Sequence, residues 1–220
     1  MDRSIRRTLL ILLLIVALIF GFVIVQQMQP LDQEPEPAPD LSALNTYVHD
    51  NARPLAEFTL TGEDGEEVTQ RDLQGRWIFL FVGYTNCPDI CPATMATLRQ
   101  TDARLSSELP QPDYLLVSAD PEHDTPERLR EYLNFFGEDF HGVTGDLEVL
   151  RELAKSVGAV FVHRDDGDGN TLVDHSGHLA LINPQGRMTA VIQPPLDPEK
   201  LAEAYREIYE WTRRNLARSG

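Results

Sequence analysis

The chain's two cysteines stand four positions apart, and each is followed by proline: Cys87-Pro88-Asp89-Ile90-Cys91-Pro92. No other cysteine occurs in the 220 residues. Three chemistries are open to the pair. A structural disulfide here would close a loop of about five residues, for which chain entropy yields only ~2 kcal/mol, against ~4.7 kcal/mol for a loop of 100. Reversible dithiol–disulfide exchange needs thiolate character. Metal binding by two soft sulfurs suits Cu(I) or Zn²⁺ and needs further ligands. Proline disfavours α conformation in the residue before it, so both cysteines are expected to be extended around a tight bend, with regular helix starting at Pro92. That would place the sulfurs at a helix N-terminus, where unpaired N–H groups and the helix dipole lower a thiol's pKa.

Histidine is the usual complement to two thiols, and the chain has six: His49, His123, His141, His163, His175 and His178. Taken singly, most are expected at the surface or hydrogen-bonded. His175 stands out by position, in VDHSGHLALINPQG, just ahead of the apolar run HLALIN. An imidazole there could complete a set of two sulfurs and one nitrogen with Cys87 and Cys91. Asp174 could orient the ring, or simply form a turn. His163 and His178 could assist, but surface roles are expected for both.

The elements that must bring these residues together can be read coarsely. EFTLTGEDGEEVTQ carries a hairpin signal, and WIFLFVGY (77–84) is a continuous apolar run expected of a strand buried on both faces. ATMATLRQTDARLSSEL has helix spacing, and YLLVSAD reads as a second buried strand. Asp124 or Thr125 can cap a helix over PERLREYLNFFG, and Asp146 another over DLEVLRELAKSVG. AVFVH and HLALIN are expected to pair through the turn-rich RDDGDGN, followed by MTAVIQ and a last helix from Asp197 or Pro198 to Asn215. This order matches an α/β fold with a thioredoxin-like central sheet flanked by helices and an N-terminal β-hairpin. In such a fold a cis-proline faces the cysteine pair from just before the late hairpin strand. No proline occurs between Leu172 and Asn183 here, and His175 takes that place.

From Leu9 to Val25 every residue is apolar, and no charge occurs from Thr8 to Leu31, enough for a helix to cross a bilayer. Arg3, Arg6 and Arg7 precede the run, which by the positive-inside bias puts the N-terminus in the cytoplasm. The run exceeds a signal-peptide core and lacks a small-residue cleavage site, so it reads as an uncleaved anchor. The expected organisation is a cytoplasmic N-terminus (1–7), a transmembrane anchor (8–27), an extended proline- and acid-rich linker (28–50) and one folded domain (51–220). The net charge of −16 argues against a nucleic-acid partner.

YTNCPDICP, the D-P-x-x-D-T-P loop in SADPEHDTPERLREYL and the D-H-S of VDHSGHLALINPQG, in this order, resemble the Sco/SenC family of membrane-anchored copper proteins. The likeness spans about Ala56 to Trp211. It implies a thioredoxin-like fold and copper, as Cu(I), Cu(II) or both, bound by Cys87, Cys91 and His175. It also implies a role in assembling the binuclear copper site of cytochrome c oxidase, and a place in the bacterial inner membrane with the folded domain in the periplasm. Implied partners are the oxidase copper-site subunit, other periplasmic copper chaperones and thiol–disulfide reductants. Family members also, or instead, reduce the oxidase subunit's cysteines, with Cys87 and Cys91 as the redox pair. Ala180 stands where the family often has an aromatic, and His123 where arginine is common. Two other readings fit less well. A peroxiredoxin pattern fails because position 81 is Phe, and DDGDGN is not a calcium loop because Thr171 stands where its glycine should be and no glutamate closes it.

Overall fold

In the computed structural model, residues 3–28, 36–165 and 171–219 are described. The chain divides into two compact units, residues 1–36 with 212–220, and Pro37–Trp211. The first contains α1 (Arg3–Met28), within which Ile5–Ile24 is long and apolar enough to cross a membrane. Its 20 residues, at about 1.5 Å each, match a hydrocarbon core of about 30 Å.

The second unit is built on an eight-stranded mixed sheet. In chain order its strands are β1 (Thr46–Pro54), β2 (Thr59–Gly62), β3 (Glu67–Thr69), β4 (Ile78–Gly83), β5 (Asp113–Ser118) and β6 (Phe140–Thr144). β7 (Phe161–Asp165) and β8 (Thr171–His175) form a separate two-stranded sheet, and β9 (Leu179–Ile182) and β10 (Arg187–Ile192) complete the main one. The order across the main sheet is β1-β10-β9-β4-β5-β6-β2-β3. β4, β5 and β6 run parallel, and β9 lies antiparallel to β4. All six residues of β4 are buried, as its unbroken apolar run requires. Phe79, Tyr114 and Phe140 share a register across these three strands and stack in a row, with centroids 5.9 and 4.5 Å apart.

The helices described in this unit are α2 (Ile90–Asp102), α3 (Pro126–Leu133), α4 (Leu147–Ser156) and residues 198–211 of α5 (Pro198–Ser219). The Thr125 hydroxyl caps α3 by accepting from the Arg128 N–H, with Pro126 in the first turn. Asp146 caps α4 by accepting from the N–H groups of Glu148 and Val149. On α5, Leu201, Ala204, Tyr205, Ile208 and Trp211 make one buried stripe. Tyr205 reaches both Trp77 and Phe79, at 5.8 Å in each case.

The expected hairpin is present as β2 and β3. Three expectations change. β1 begins at Thr46, inside the stretch expected to be an extended linker, and is held by antiparallel pairing to β10. Its polar sequence hid it: TYVHDNARP buries Thr46, Val48 and His49 on an otherwise exposed strand. His49 is therefore buried rather than at the surface, and burial pushes its pKa down toward the neutral ring. Next, AVFVH does not pair with HLALIN. β7 pairs with β8, setting Phe161 opposite His175, whereas β9 joins the main sheet between β10 and β4. Residues 166–170, which hold most of the expected turn and of DDGDGN, lie outside the described residues. Last, β6 was not anticipated because FHGVT is short and carries a glycine. A Cβ on Gly142 would come within 2.7 Å of Leu133 Cδ1, so the glycine lets α3 approach the sheet.

Candidate metal centre

Cys87 sits in the turn that leaves β4, its N–H donating to the Tyr84 carbonyl at 3.3 Å, and is half-buried. α2 begins at Ile90 rather than at Pro92, with its first bond running from the Ala93 N–H to the Asp89 carbonyl. Cys91 is thus helical, against the usual pre-proline preference. Pro92 falls in the first turn, where a missing N–H forfeits no helical bond. One of the free N–H groups of that turn, from Cys91, donates to Cys87 Sγ at 3.4 Å. The two thiols are therefore linked through the helix start.

Cys91 heads the buried stripe of α2, with Thr94, Met95, Leu98 and Thr101, and is fully buried. Its sulfur lies against Gly83 at the end of β4, where a Cβ would come within 2.8 Å of Sγ. The expectation of an acidified thiol fails for Cys91. Burial pushes its pKa well up, more than the Tyr84 backbone hydrogen bond lowers it.

His175 ends β8, and its Nε2 lies 3.4 Å from Cys91 Sγ. Its Nδ1 is 3.1 Å from the Ser176 carbonyl, which accepts only if Nδ1 carries the proton. In that tautomer Nε2 presents its lone pair to the sulfurs. Burial, the main cause, lowers the ring's pKa and keeps it neutral. The rings of Phe81 and Tyr84 meet it edge-on, at 5.5 and 5.9 Å, and fix its plane. Among the described residues, Cys87, Cys91 and His175 form a group of three donors whose ligating atoms all lie within 4.8 Å of one another.

The other histidines are engaged elsewhere. His123 bonds Asp120 at 2.8 Å, His141 bonds Glu63 at 2.9 Å, and His178 Nε2 meets the Val157 carbonyl at 3.2 Å. His163 packs edge-on against Phe161. Asp174 does not orient the His175 ring, since its carboxylate pairs with Arg164 at 2.6 Å on the exposed face of β8. The Ser176 carbonyl takes that part.

Sequence reading missed two features. Gly83 gave no signal of its own. Asp124 is one of the two candidate caps of α3, and Thr125 is the one that caps; Asp124 is instead fully buried and receives the Thr85 N–H at 3.1 Å, the Thr85 hydroxyl at 2.6 Å and the Ser118 hydroxyl at 2.6 Å. Beside the thiols lies an open groove that includes Tyr84, Ile90, Leu172 and His175, so Cys87 can meet a partner.

Chemically the site offers two soft sulfurs and one neutral imidazole, a donor set suited to copper or zinc. A family model described as SCO1/SenC matches residues 48–210. A Stutzerimonas stutzeri protein named as a candidate copper-binding protein is 34% identical over 171 residues, covering 77% of this chain and 84% of that one. The copper-bound structure of Arabidopsis thaliana ScoI is similar with a TM-score of 0.67 and 30% identity, over 71% of this chain and 98% of that one. That of Bradyrhizobium japonicum ScoI, also with copper bound, is similar with a TM-score of 0.63 and 26% identity, over 70% and 99%. On the extent of the family match and on this relative's identity and coverage, the chain belongs to the SCO1/SenC family.

Proposed function

We propose that this protein is a membrane-anchored copper-binding assembly factor. It would carry copper on Cys87, Cys91 and His175 and deliver it to the binuclear copper site of cytochrome c oxidase. The observation that carries the reading is the convergence of these three donors within 4.8 Å of one another, with His175 Nε2 3.4 Å from Cys91 Sγ. Copper here is cargo, and thiolate and imidazole donors suit it in either oxidation state. Since Cys91 holds its proton tightly in the metal-free protein, the metal must displace that proton on binding. The half-buried Cys87 faces the groove and is the donor an acceptor reaches first for ligand exchange.

The apolar helix Ile5–Ile24 would anchor the protein in the bacterial inner membrane. The arginines ahead of it would hold the N-terminus in the cytoplasm and place the folded domain in the periplasm. The acceptor would be the copper-site subunit of the oxidase, with periplasmic copper chaperones as donors. The test is addition of Cu(II) to the reduced, detergent-solubilised chain. A single equivalent bound with a strong thiolate-to-Cu(II) charge-transfer band is expected, and binding without that band would refute the ligand set.

The unequal exposure of the two thiols supports a second reading, thiol–disulfide exchange. Cys87 would attack a partner disulfide, releasing one partner thiol. Cys91 would then displace the other, leaving a Cys87–Cys91 disulfide that an external thiol reductant must restore.

A further inference from the structure

The buried carboxylate of Asp124 is not one of the three clustered donors, α3 is capped by Thr125, and the hydrogen bonds shown for Asp124 come from one backbone N–H and two hydroxyls. Two of its three donors belong to one residue, Thr85, through both the backbone N–H and the hydroxyl. Thr85 stands two positions before Cys87, in the turn closed by the Cys87 N–H on the Tyr84 carbonyl. From the first turn of α3, the Arg128 guanidinium reaches the same segment, donating to Thr85 Oγ1 at 3.4 Å and to Asn86 Oδ1 at 3.0 Å. The loop between β5 and α3 thus grips the residues just ahead of Cys87 on both backbone and side chain. Cys91 needs no such device, because α2 and the floor at Gly83 hold it.

We infer that Asp124, acting through Thr85, is the positioning residue that keeps Cys87 within reach of Cys91 and His175. The D-T of the D-P-x-x-D-T-P loop is then divided between two tasks: Thr125 starts a helix, and Asp124 fixes a thiol on a neighbouring strand end. A doubly gripped turn loses little freedom when the thiol binds its ligand, so the arrangement is set before the metal arrives. For its affinity readout the inference rests on the copper reading proposed above. Its second readout does not.

The test uses the full-length chain in detergent, with Thr85→Val, Thr85→Ser, Asp124→Ala and, as a control for stability alone, Ile208→Val in α5. Amide hydrogen exchange is measured on the metal-free protein, and Cu(I) affinity by competition with a chelator. Thr85→Val is expected to speed exchange at Thr85, Asn86 and Cys87 while β4 and β5 stay protected. It should also weaken copper binding by roughly 10–100-fold, the usual loss when a partner supporting a metal ligand is removed. Thr85→Ser keeps the hydroxyl and should restore both, Asp124→Ala should reproduce the valine variant if it folds, and Ile208→Val should alter neither. Exchange that rises uniformly, or a loosened turn with unchanged affinity, overturns the inference. Should the unaltered protein bind no copper, the copper reading falls. The clamp is then decided by exchange alone, selective loosening upholding it and uniform change overturning it.

Discussion

Replacing His175 with alanine is expected to lower copper affinity by more than about 100-fold, beyond the range for a supporting partner, while leaving disulfide exchange at Cys87 and Cys91 intact. The reason lies in what each donor contributes. The two sulfurs are close in sequence and joined by the Cys91 N–H bond to Cys87 Sγ, so their spacing survives without the histidine. The imidazole alone comes from a separate two-stranded sheet, and its Nε2 is the third atom of the set. Cys87→Ser beside it should abolish both activities, because that sulfur serves both. The edge-on contacts of His175 with Phe81 and Tyr84 mean that alanine also leaves a small void, so thermal unfolding of the metal-free variants must be measured alongside. A His175→Ala protein that kept full copper affinity would exclude the imidazole as a ligand. One that lost copper binding, kept reductase activity and still supported oxidase assembly in cells would move the assignment to thiol–disulfide exchange.

Gly83→Ala is expected to damage both the fold and the site. The new methyl would lie 2.7 Å from Phe81 Cε1 and 2.8 Å from Cys91 Sγ. Both neighbours are fully buried, one on the central strand and one on the helix packed against it, so neither can simply swing into solvent. Overpacking of this kind costs about 1–3 kcal/mol, which should appear as a lower denaturant midpoint with an unchanged slope. The sulfur should also be pushed out of register with His175 Nε2, now 3.4 Å away, so copper affinity should fall. Gly177→Ala is the matched comparison. Its methyl would meet only Pro194 Cγ, at 3.4 Å, and the change should be close to neutral. If Gly83→Ala proved as stable and as strongly copper-binding as the parent, Cys91 would not be held as described.

These two residues mark how far the chemistry could be read without coordinates. The placement of His175 beside the cysteines was legible because it occupies a defined place ahead of an apolar strand run, where topology returns the chain to the cysteine loop. Gly83 was not, because its role depends on what packs over it, and a glycine at the end of WIFLFVGY looks like any other. Asp124 carried a misleading local signal. An aspartate two residues before a proline suits a cap, and only the tertiary placement of Thr85 reveals where its oxygens go. The state of Cys91 shows a related limit: the helix end is a local feature of the sequence, whereas the burial that raises the thiol's pKa is made by the core around it. In the fold, the buried strands β4 and β5 and the capped helices α3 and α4 followed from pattern. β1 and the pairing of β7 with β8 did not, since polar or short strands take their partners from the whole sheet rather than from their own composition.

The central claim is that one copper ion is held by two sulfurs and one imidazole nitrogen. X-ray absorption at the copper edge of the reduced, copper-loaded full-length chain tests it most directly. The account predicts two sulfur neighbours at thiolate distance and one nitrogen neighbour with the outer-ring scattering of imidazole, the nitrogen disappearing in His175→Ala. A copper environment made only of nitrogen and oxygen, or one unchanged by loss of His175, would contradict it.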